Sequence, residues 1–334
     1  MNTVLNPVKK KLTTSAMIAS IAAEGQTTVP APFGHALAAL AEQRPEIVGL
    51  SADLAKYTDL HIFAQQHPSR FFQMGMAEQL LMGAAAGLAH EGFIPFATTY
   101  AVFATRRAYD FMHQAIAEEG LPVKIVAALP GLTTGYGPSH QACEDLALMR
   151  AMPGMTVIDP CDATEIAQAV PAIAAHPGPV YMRLLRGQVP EVLGAYGYQF
   201  ELGKAKLLRD GRDVLIISTG LMTMRALEVA DALRADSVDV AVLHVPTLKP
   251  LDEASIVEAC RRDGRLVVVA ENHSVVGGLG EAVASALLRA RVMPTGFRMA
   301  GLPDEFLAAG ALPTLHDRYG ISCAALSGRI RQWL

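Results

Sequence analysis

Apolar runs of strand length alternate with helical segments through most of this chain, and that alternation limits the fold more than any single motif. Strands are predicted at 47–51, 71–73, 93–97, 123–129, 156–158 and 180–183, with helices at 37–43, 76–90, 101–119, 142–151 and 164–175 between them. Strands that stay apolar throughout, each followed by a helix, belong to a parallel sheet covered on both faces. A stretch rich in Gly, Pro and Tyr, 187–203, interrupts the pattern and reads as a linker. A shorter series follows, with strands at 214–218, 238–244 and 266–271 and helices at 222–234, 252–260 and 280–291. The expected fold is therefore two successive α/β domains with largely parallel sheets. Their limits are an N-terminal extension at 1–28, a first domain at 29–190, a linker at 191–206 and a second domain at 207–334.

Composition narrows the class. Hydrophobic residues make up 51% of the 334 and charged ones 18%, which suggests more buried surface than one monomer hides, and hence an oligomer. A net charge of −4 gives no sign of a nucleic-acid partner or of a polybasic membrane contact. Cys143, Cys161, Cys260 and Cys323 are scattered, with no C-x-x-C pair, so neither a zinc site nor a disulfide framework is expected. Reduced thiols in a cytoplasmic protein are the plain reading. Lys9-Lys10-Lys11 before an apolar stretch has the outline of a signal peptide, but Thr13, Thr14 and Ser15 interrupt it. An N-terminal helix, mobile or docked on an interface, is expected instead. No segment approaches the ~20 apolar residues of a membrane span.

The stretch from Arg70 to His140 concentrates the polar chemistry. Glu78 is a lone carboxylate in the expected 76–90 helix, among Met74, Leu81 and Met82 at helical spacing. A helix glutamate ordinarily lies on a solvated face or pairs with an arginine. The surrounding apolar run leaves little polar face here, so a buried acid with a specific partner is expected. Tyr100 and Phe103 follow in a Thr-rich segment, where core packing is the commoner use of such rings. His140 closes a Gly/Pro loop, a place where histidines are usually exposed bystanders. Asp53 suits a turn or helix N-cap. A buried acid, an aromatic face and a loop histidine are part of what a cofactor-dependent enzyme of carbon–carbon bonds needs.

Several segments occur in a telling order. They are Gly75-Met76-Ala77-Glu78-Gln79, Pro95-Phe96-Ala97-Thr98-Thr99-Tyr100-Ala101-Val102-Phe103, Gly137-Pro138-Ser139-His140-Gln141, and Leu148-Met149-Arg150-Ala151-Met152-Pro153-Gly154-Met155. Later come Glu271-Asn272-His273, Gly277-Gly278-Leu279-Gly280 and Gly301-Leu302-Pro303-Asp304. Together they resemble the pyrimidine-binding and C-terminal domains of the transketolase superfamily, across nearly the whole chain. The resemblance implies thiamine diphosphate chemistry. Glu78 then corresponds to the acid that hydrogen-bonds the aminopyrimidine nitrogen, and Tyr100 and Phe103 to aromatics stacked on that ring. His140 corresponds to a histidine facing the substrate carbonyl and hydroxyls, suited to proton transfer near neutral pH. Asp53 matches an acidic position beside the cofactor, and Arg186 an arginine that holds a substrate phosphate or acid group. Arg107 and Tyr136 are further expected substrate contacts. Glu271, His273 and His244 are polar positions of the second domain, with structural roles expected.

The departures from the family pattern carry as much information. The Gly-Asp-Gly…Asn element that holds the diphosphate and its Mg2+ or Ca2+ is missing from the sequence. The resemblance therefore implies a split enzyme, its other wall supplied by an N-terminal subunit in an α2β2 hetero-oligomer with a β–β contact. The loop before His140 lacks the usual histidine, carries Tyr136 in place of an acidic pair and is shorter by a residue. It also lacks the arginine of the deoxyxylulose-phosphate synthase branch. Lys56 and Tyr57 stand where small hydroxyl residues are usual. A standard pentose phosphate is thus not the expected substrate; a ketose-type donor and an aldehyde acceptor are. The β subunit of a 2-oxo acid dehydrogenase E1, a deoxyxylulose-phosphate-synthase-like carboligase and a regulatory relic are the alternatives.

Overall fold

The computed structural model describes residues 21–22 and 25–334, so the expected N-terminal helix lies outside the described residues. The first half runs β1 (Thr28–Pro30), α1 (Pro32–Gln43), β2 (Ile47–Ser51), α2 (His61–Gln66), β3 (Phe71–Gln73), α3 (Glu78–His90) and β4 (Ile94–Tyr100). It continues through α4 (Ala101–Arg107), α5 (Tyr109–Met112), β5 (Lys124–Ala128), α6 (Asp145–Ala151), β6 (Thr156–Ile158), α7 (Ala163–Ala175), β7 (Val180–Leu184) and β8 (Gln188–Pro190). The second half comprises β9 (Lys206–Arg209), β10 (Val214–Ser218), α8 (Leu221–Arg234), β11 (Val240–His244), β12 (Thr247–Lys249), α9 (Glu253–Cys260) and β13 (Leu266–Ser274). It ends with α10 (Leu279–Arg289), β14 (Gly296–Leu302), α11 (Leu312–Arg318) and α12 (Cys323–Trp333).

Two α/β domains with mostly parallel sheets result. The larger sheet has the order β12-β6-β7-β5-β4-β2-β3, and only its β12–β6 pair is antiparallel. The smaller has the order β14-β13-β10-β11-β9, parallel except at the β9 edge. Every residue of β2, β5, β7, β10 and β11 is buried. That double coverage is why these strands read as continuous apolar runs.

The structure corrects one expectation and adds detail to others. The helix expected over 101–119 breaks after α4: Ala108 leaves helical geometry at φ −112° and ψ 12°, and a π-turn, His113–Ala117, follows α5. Alanine favours helix, so local preference does not account for the break. The linker at 187–203 is fastened down. β8 pairs with β1, and the Asp162 carboxylate that caps α7 also accepts the Val192 and Leu193 N–H groups at 2.7 Å each. The domains are not separable units either, because β12 belongs to the second half yet completes the first domain's sheet against β6. Finally, β9, β14, α11 and α12 were not anticipated from the sequence.

A buried ion cluster holds the two domains together. Arg183, 1% exposed at the end of β7, donates to both carboxylate oxygens of Asp145, to Asp159 (3.2 Å) and to the Asn272 carbonyl of β13 (3.2 Å). Burial would lower the guanidinium pKa, but the two carboxylates hold it above its usual value. Burial raises Asp159 to about 6. Asn272 also accepts the Leu132 N–H through Oδ1, at 2.9 Å. Gly131 adopts φ 58° in the same contact, and a Cβ there would sit 2.1 Å from the Asn272 carbonyl oxygen. The Glu271 carboxylate accepts the Leu279 and Gly280 N–H groups at the start of α10, while Arg150 donates to the Gly277 and Gly278 carbonyls.

Removing Arg183 leaves two buried acids without a counterion. Arg183→Met should lower stability by about 3–5 kcal/mol in chemical denaturation, with part recovered by adding Asp145→Leu. His273 sets a pH dependence. Its Nε2 accepts the Ala147 N–H (3.3 Å) and its Nδ1 donates to the Ser274 carbonyl (2.7 Å), a pattern that needs the neutral ring. Burial, with Arg183 nearby, pushes its pKa down from 6.5 to about 4. In that interval the unfolded chain takes up a proton that the folded chain does not. The stabilisation is full above pH 6.5 and is lost as pH falls toward 4. His316, also lowered to about 4, contributes in the same direction. His273→Gln should flatten the fall in melting temperature over that range.

Candidate active site

The candidate residues of the first domain gather where its parallel strands end. In open α/β sheets the carboxyl ends of the strands form the binding edge, because successive loops converge there. Asp53 follows β2, Glu78 follows β3, Tyr100 ends β4, the loop bearing Tyr136 and His140 follows β5, and Arg186 follows β7.

Glu78 is the first residue of α3, two positions later than the expected helix start, and only 2% exposed. Gly75 at φ 72° turns the chain between β3 and the helix. Ala77 offers no side-chain cap, so the carboxylate lies at the uncapped, electropositive end of the helix. Leu81 and Met82 beneath it are fully buried. Arg107 Nη1 stands 3.4 Å from both carboxylate oxygens. The structure thus places Arg107 on the acid itself.

Four rings form the adjoining wall. Tyr100 and Phe103 have centroids 5.8 Å apart at 33°. The His140 ring lies 5.4 Å from Phe103, 6.5 Å from Tyr100 and 5.3 Å from Tyr136. Tyr100 is mostly buried, which raises its hydroxyl pKa against the opposing charge of Arg186. His140 Nδ1 meets Ser139 Oγ at 2.9 Å. Arg186 stands 5.8 Å from the Tyr57 ring, and its buried Nε has no hydrogen-bond partner among the described residues. Asp53 is exposed at φ 60°, and its N–H donates to Gln73 Oε1 at 2.6 Å.

Two residues that the sequence did not single out hold this edge in shape. Arg106 donates to the carbonyls of Pro138 (2.8 Å) and Gln141 (3.0 Å) and to Glu144, fixing the loop that carries His140. Gln141 Nε2 then reaches the Ala308 carbonyl of the second domain at 3.2 Å. Asp59, whose pKa burial raises, accepts the Gly187 N–H at 2.9 Å and so anchors the chain beside Arg186. Apart from Glu144, their partners are backbone groups, which leave no mark in a sequence.

Glu271 and His273 lie in the domain junction described above, and His244 lies in a second buried cluster. Glu165 accepts from His244 Nε2 (2.9 Å to each oxygen), Tyr198 and the Cys161 N–H, while His244 Nδ1 meets Thr223 at 2.7 Å. Cys161, Glu165 and His244 present ligand-type atoms within 4.8 Å of one another. The hydrogen bonds already occupy the carboxylate, and the cluster ties α7 to β11.

The buried acid, the ring wall and the strand-end edge lie together in one α/β domain, beside a second α/β domain. The description "Transketolase, pyrimidine binding domain" matches residues 26–191, and "Transketolase, C-terminal domain" matches 203–326. The chain belongs to the transketolase family, whose members use thiamine diphosphate. It is 71% identical to the transketolase family protein y4mN of Sinorhizobium fredii, over 98% of this chain and 95% of that one. It is 41% identical to the 6-deoxy-6-sulfo-D-fructose transketolase subunit SqwH of a Clostridium species, over 84% of this chain and 87% of that one. Among solved structures it matches a split-gene transketolase described as an inactive β4 tetramer. The TM-score is 0.83 and the identity 42%, covering 92% of this chain and 98% of that one.

Asp53 bears a left-handed backbone that glycine adopts more easily. Asp53→Gly should therefore raise the melting temperature of the chain, by up to about 1 kcal/mol of added stability, read by thermal denaturation.

Proposed function

We propose that this chain is the pyrimidine-side subunit of a two-chain, thiamine diphosphate-dependent transketolase. The observation that carries the reading is the grouping of a 2%-exposed Glu78 with the Tyr100, Phe103 and His140 rings at one sheet edge. These residues fit the cofactor's aminopyrimidine: an acid for its edge and aromatic faces for its ring. Thiamine diphosphate, when bound, supplies a carbon nucleophile and an electron sink for breaking and making a carbon–carbon bond.

The chain's own residues do the rest. Glu78 hydrogen-bonds the pyrimidine edge in a low-dielectric setting that strengthens the bond. Tyr100 and Phe103 orient the ring and exclude water from it. His140 holds or moves a proton at the substrate's carbonyl or hydroxyl oxygens. Arg186, with an unused buried Nε and Lys56 in the neighbouring loop, offers positive charge to an anionic end of the sugar. Tyr136 takes the place of acidic donor contacts. The substrates are a ketose-type donor and an aldehyde acceptor, and the transferred piece is a ketol or acyl unit.

The diphosphate and its Mg2+ or Ca2+ belong on a partner chain carrying the Gly-Asp-Gly…Asn element. Relatives named as a subunit and as a split-gene enzyme support this division. So does the surface beside the site. From Glu78 onward α3 leaves Leu80, Gly83 and Gly87 exposed, Met76 just ahead of it is 80% exposed, and Phe111 is 44% exposed. An exposed apolar face beside a half-site suits an obligate partner. The assembly is read as α2β2 with a β–β contact. Among the described residues no helix is long and apolar enough to cross a membrane.

The test is reconstitution. Alone, the chain should not retain thiamine diphosphate; with a diphosphate-domain chain it should form an active hetero-oligomer. Glu78→Gln should slow hydrogen–deuterium exchange at the cofactor's C2 by on the order of 10²–10⁴. Unchanged exchange would remove the assignment of Glu78, and tight Mg2+-dependent binding by the lone chain would remove the partner.

A further inference from the structure

Arg107 makes two contacts, and their combination is informative. Its Nη1 lies 3.4 Å from each oxygen of Glu78, and its guanidinium carbon lies 4.0 Å from the centre of the Phe103 ring. A flat, hydrogen-bond-donating group therefore has an N–H nitrogen on the acid and its centre over the aromatic ring. These are the same two contacts proposed above for the aminopyrimidine: an edge on Glu78 and a face on the stacking ring. A guanidinium and a protonated aminopyrimidine are alike in being planar, cationic and rich in N–H donors, and both stack on aromatic faces.

The surroundings favour an exchangeable contact. The Arg107 side chain is 50% exposed, whereas Glu78 is 2% exposed. A distance of 3.4 Å is at the long end for a hydrogen bond, so the pair is weakly held. Glu78 nevertheless needs a counter-charge while it is buried. The neighbouring arginine behaves differently: Arg106 is committed to Glu144 and to the Pro138 and Gln141 carbonyls. Arg107 is also the last residue of α4, before the break at Ala108. A cation released from Glu78 there remains beside the electronegative end of a helix, which stabilises it in the outward position.

We infer that Arg107 is a stand-in for the cofactor ring, covering Glu78 and Phe103 in the unloaded chain and swinging toward solvent when an aminopyrimidine takes its place. The inference rests on the reading of Glu78 and Phe103 given above. It reverses the expected role of Arg107 as a substrate contact: removing a ligand contact weakens binding, whereas removing a competitor tightens it.

The test uses the chain alone and the cofactor's pyrimidine half, 4-amino-5-hydroxymethyl-2-methylpyrimidine, with affinity read by titration calorimetry or ligand-observed NMR. Folding of each variant is checked by circular dichroism. Arg107→Ala should bind the pyrimidine about tenfold more tightly than the unaltered chain, as expected if the competent state is a tenth populated. Adding Glu78→Gln should abolish that gain, which a general loosening of the site would not do. Equal or weaker binding by Arg107→Ala, or no binding by any variant, overturns the inference. If binding depends on Glu78 but Arg107→Ala brings no gain, the stand-in role alone fails. If binding ignores Glu78 in both backgrounds, the reading of Glu78 fails and takes the inference with it.

Discussion

The guanidinium of Arg183 is the contact on which the rest of this architecture depends. It sits at the end of a central strand, beyond the reach of water, and joins the start of α6, the end of β6 and the backbone of β13. Two acids and one cation in a dry interior are tolerable only as a complete set, so the cluster fixes the geometry of every element that contributes to it. Those elements carry the loops of the candidate site. Arg186 is three residues beyond Arg183, and the loop of His140 runs into α6 at Asp145. The cluster thus braces the strand and the helix from which two loops of the candidate site run.

The second domain therefore acts on the site without supplying its acid or its rings. It holds Leu132 through Asn272 and Gln141 through Ala308, one contact on each side of the loop bearing Tyr136 and His140. This loop is also one of the places where the sequence departs from the family pattern. Bracing its ends leaves its middle free to differ while the scaffold around it stays the same.

How much of this was legible in the sequence follows from how local each cause is. The limits of β2, β6 and β10 agree with those expected, because a strand buried on both faces shows itself as an apolar run between turns; β3, a half-buried edge strand, agrees as well. The three-residue strands β8 and β12 went unseen, since each is defined by a distant partner, β1 and β6 respectively, and not by its own residues. The break at Ala108 was invisible too, since alanine favours helix. In the candidate site the residue types were readable from the family resemblance, and the structure adds their arrangement. That Arg107 lies on Glu78 and that Arg106 and Asp59 support backbone atoms are matters of three-dimensional distance alone.

Strand β12 bears on how such a chain can be divided and inherited. A sheet edge borrowed from the second half means that the boundary visible in the sequence is not a boundary in the fold. Exchanging everything after the linker for the corresponding part of another protein would also exchange a strand of the first domain, and with it the hold of Lys249 on the carbonyls that end α6. The two halves must therefore change together. Any fission or fusion that shaped this lineage is easier to accommodate outside the unit formed by these domains than between them.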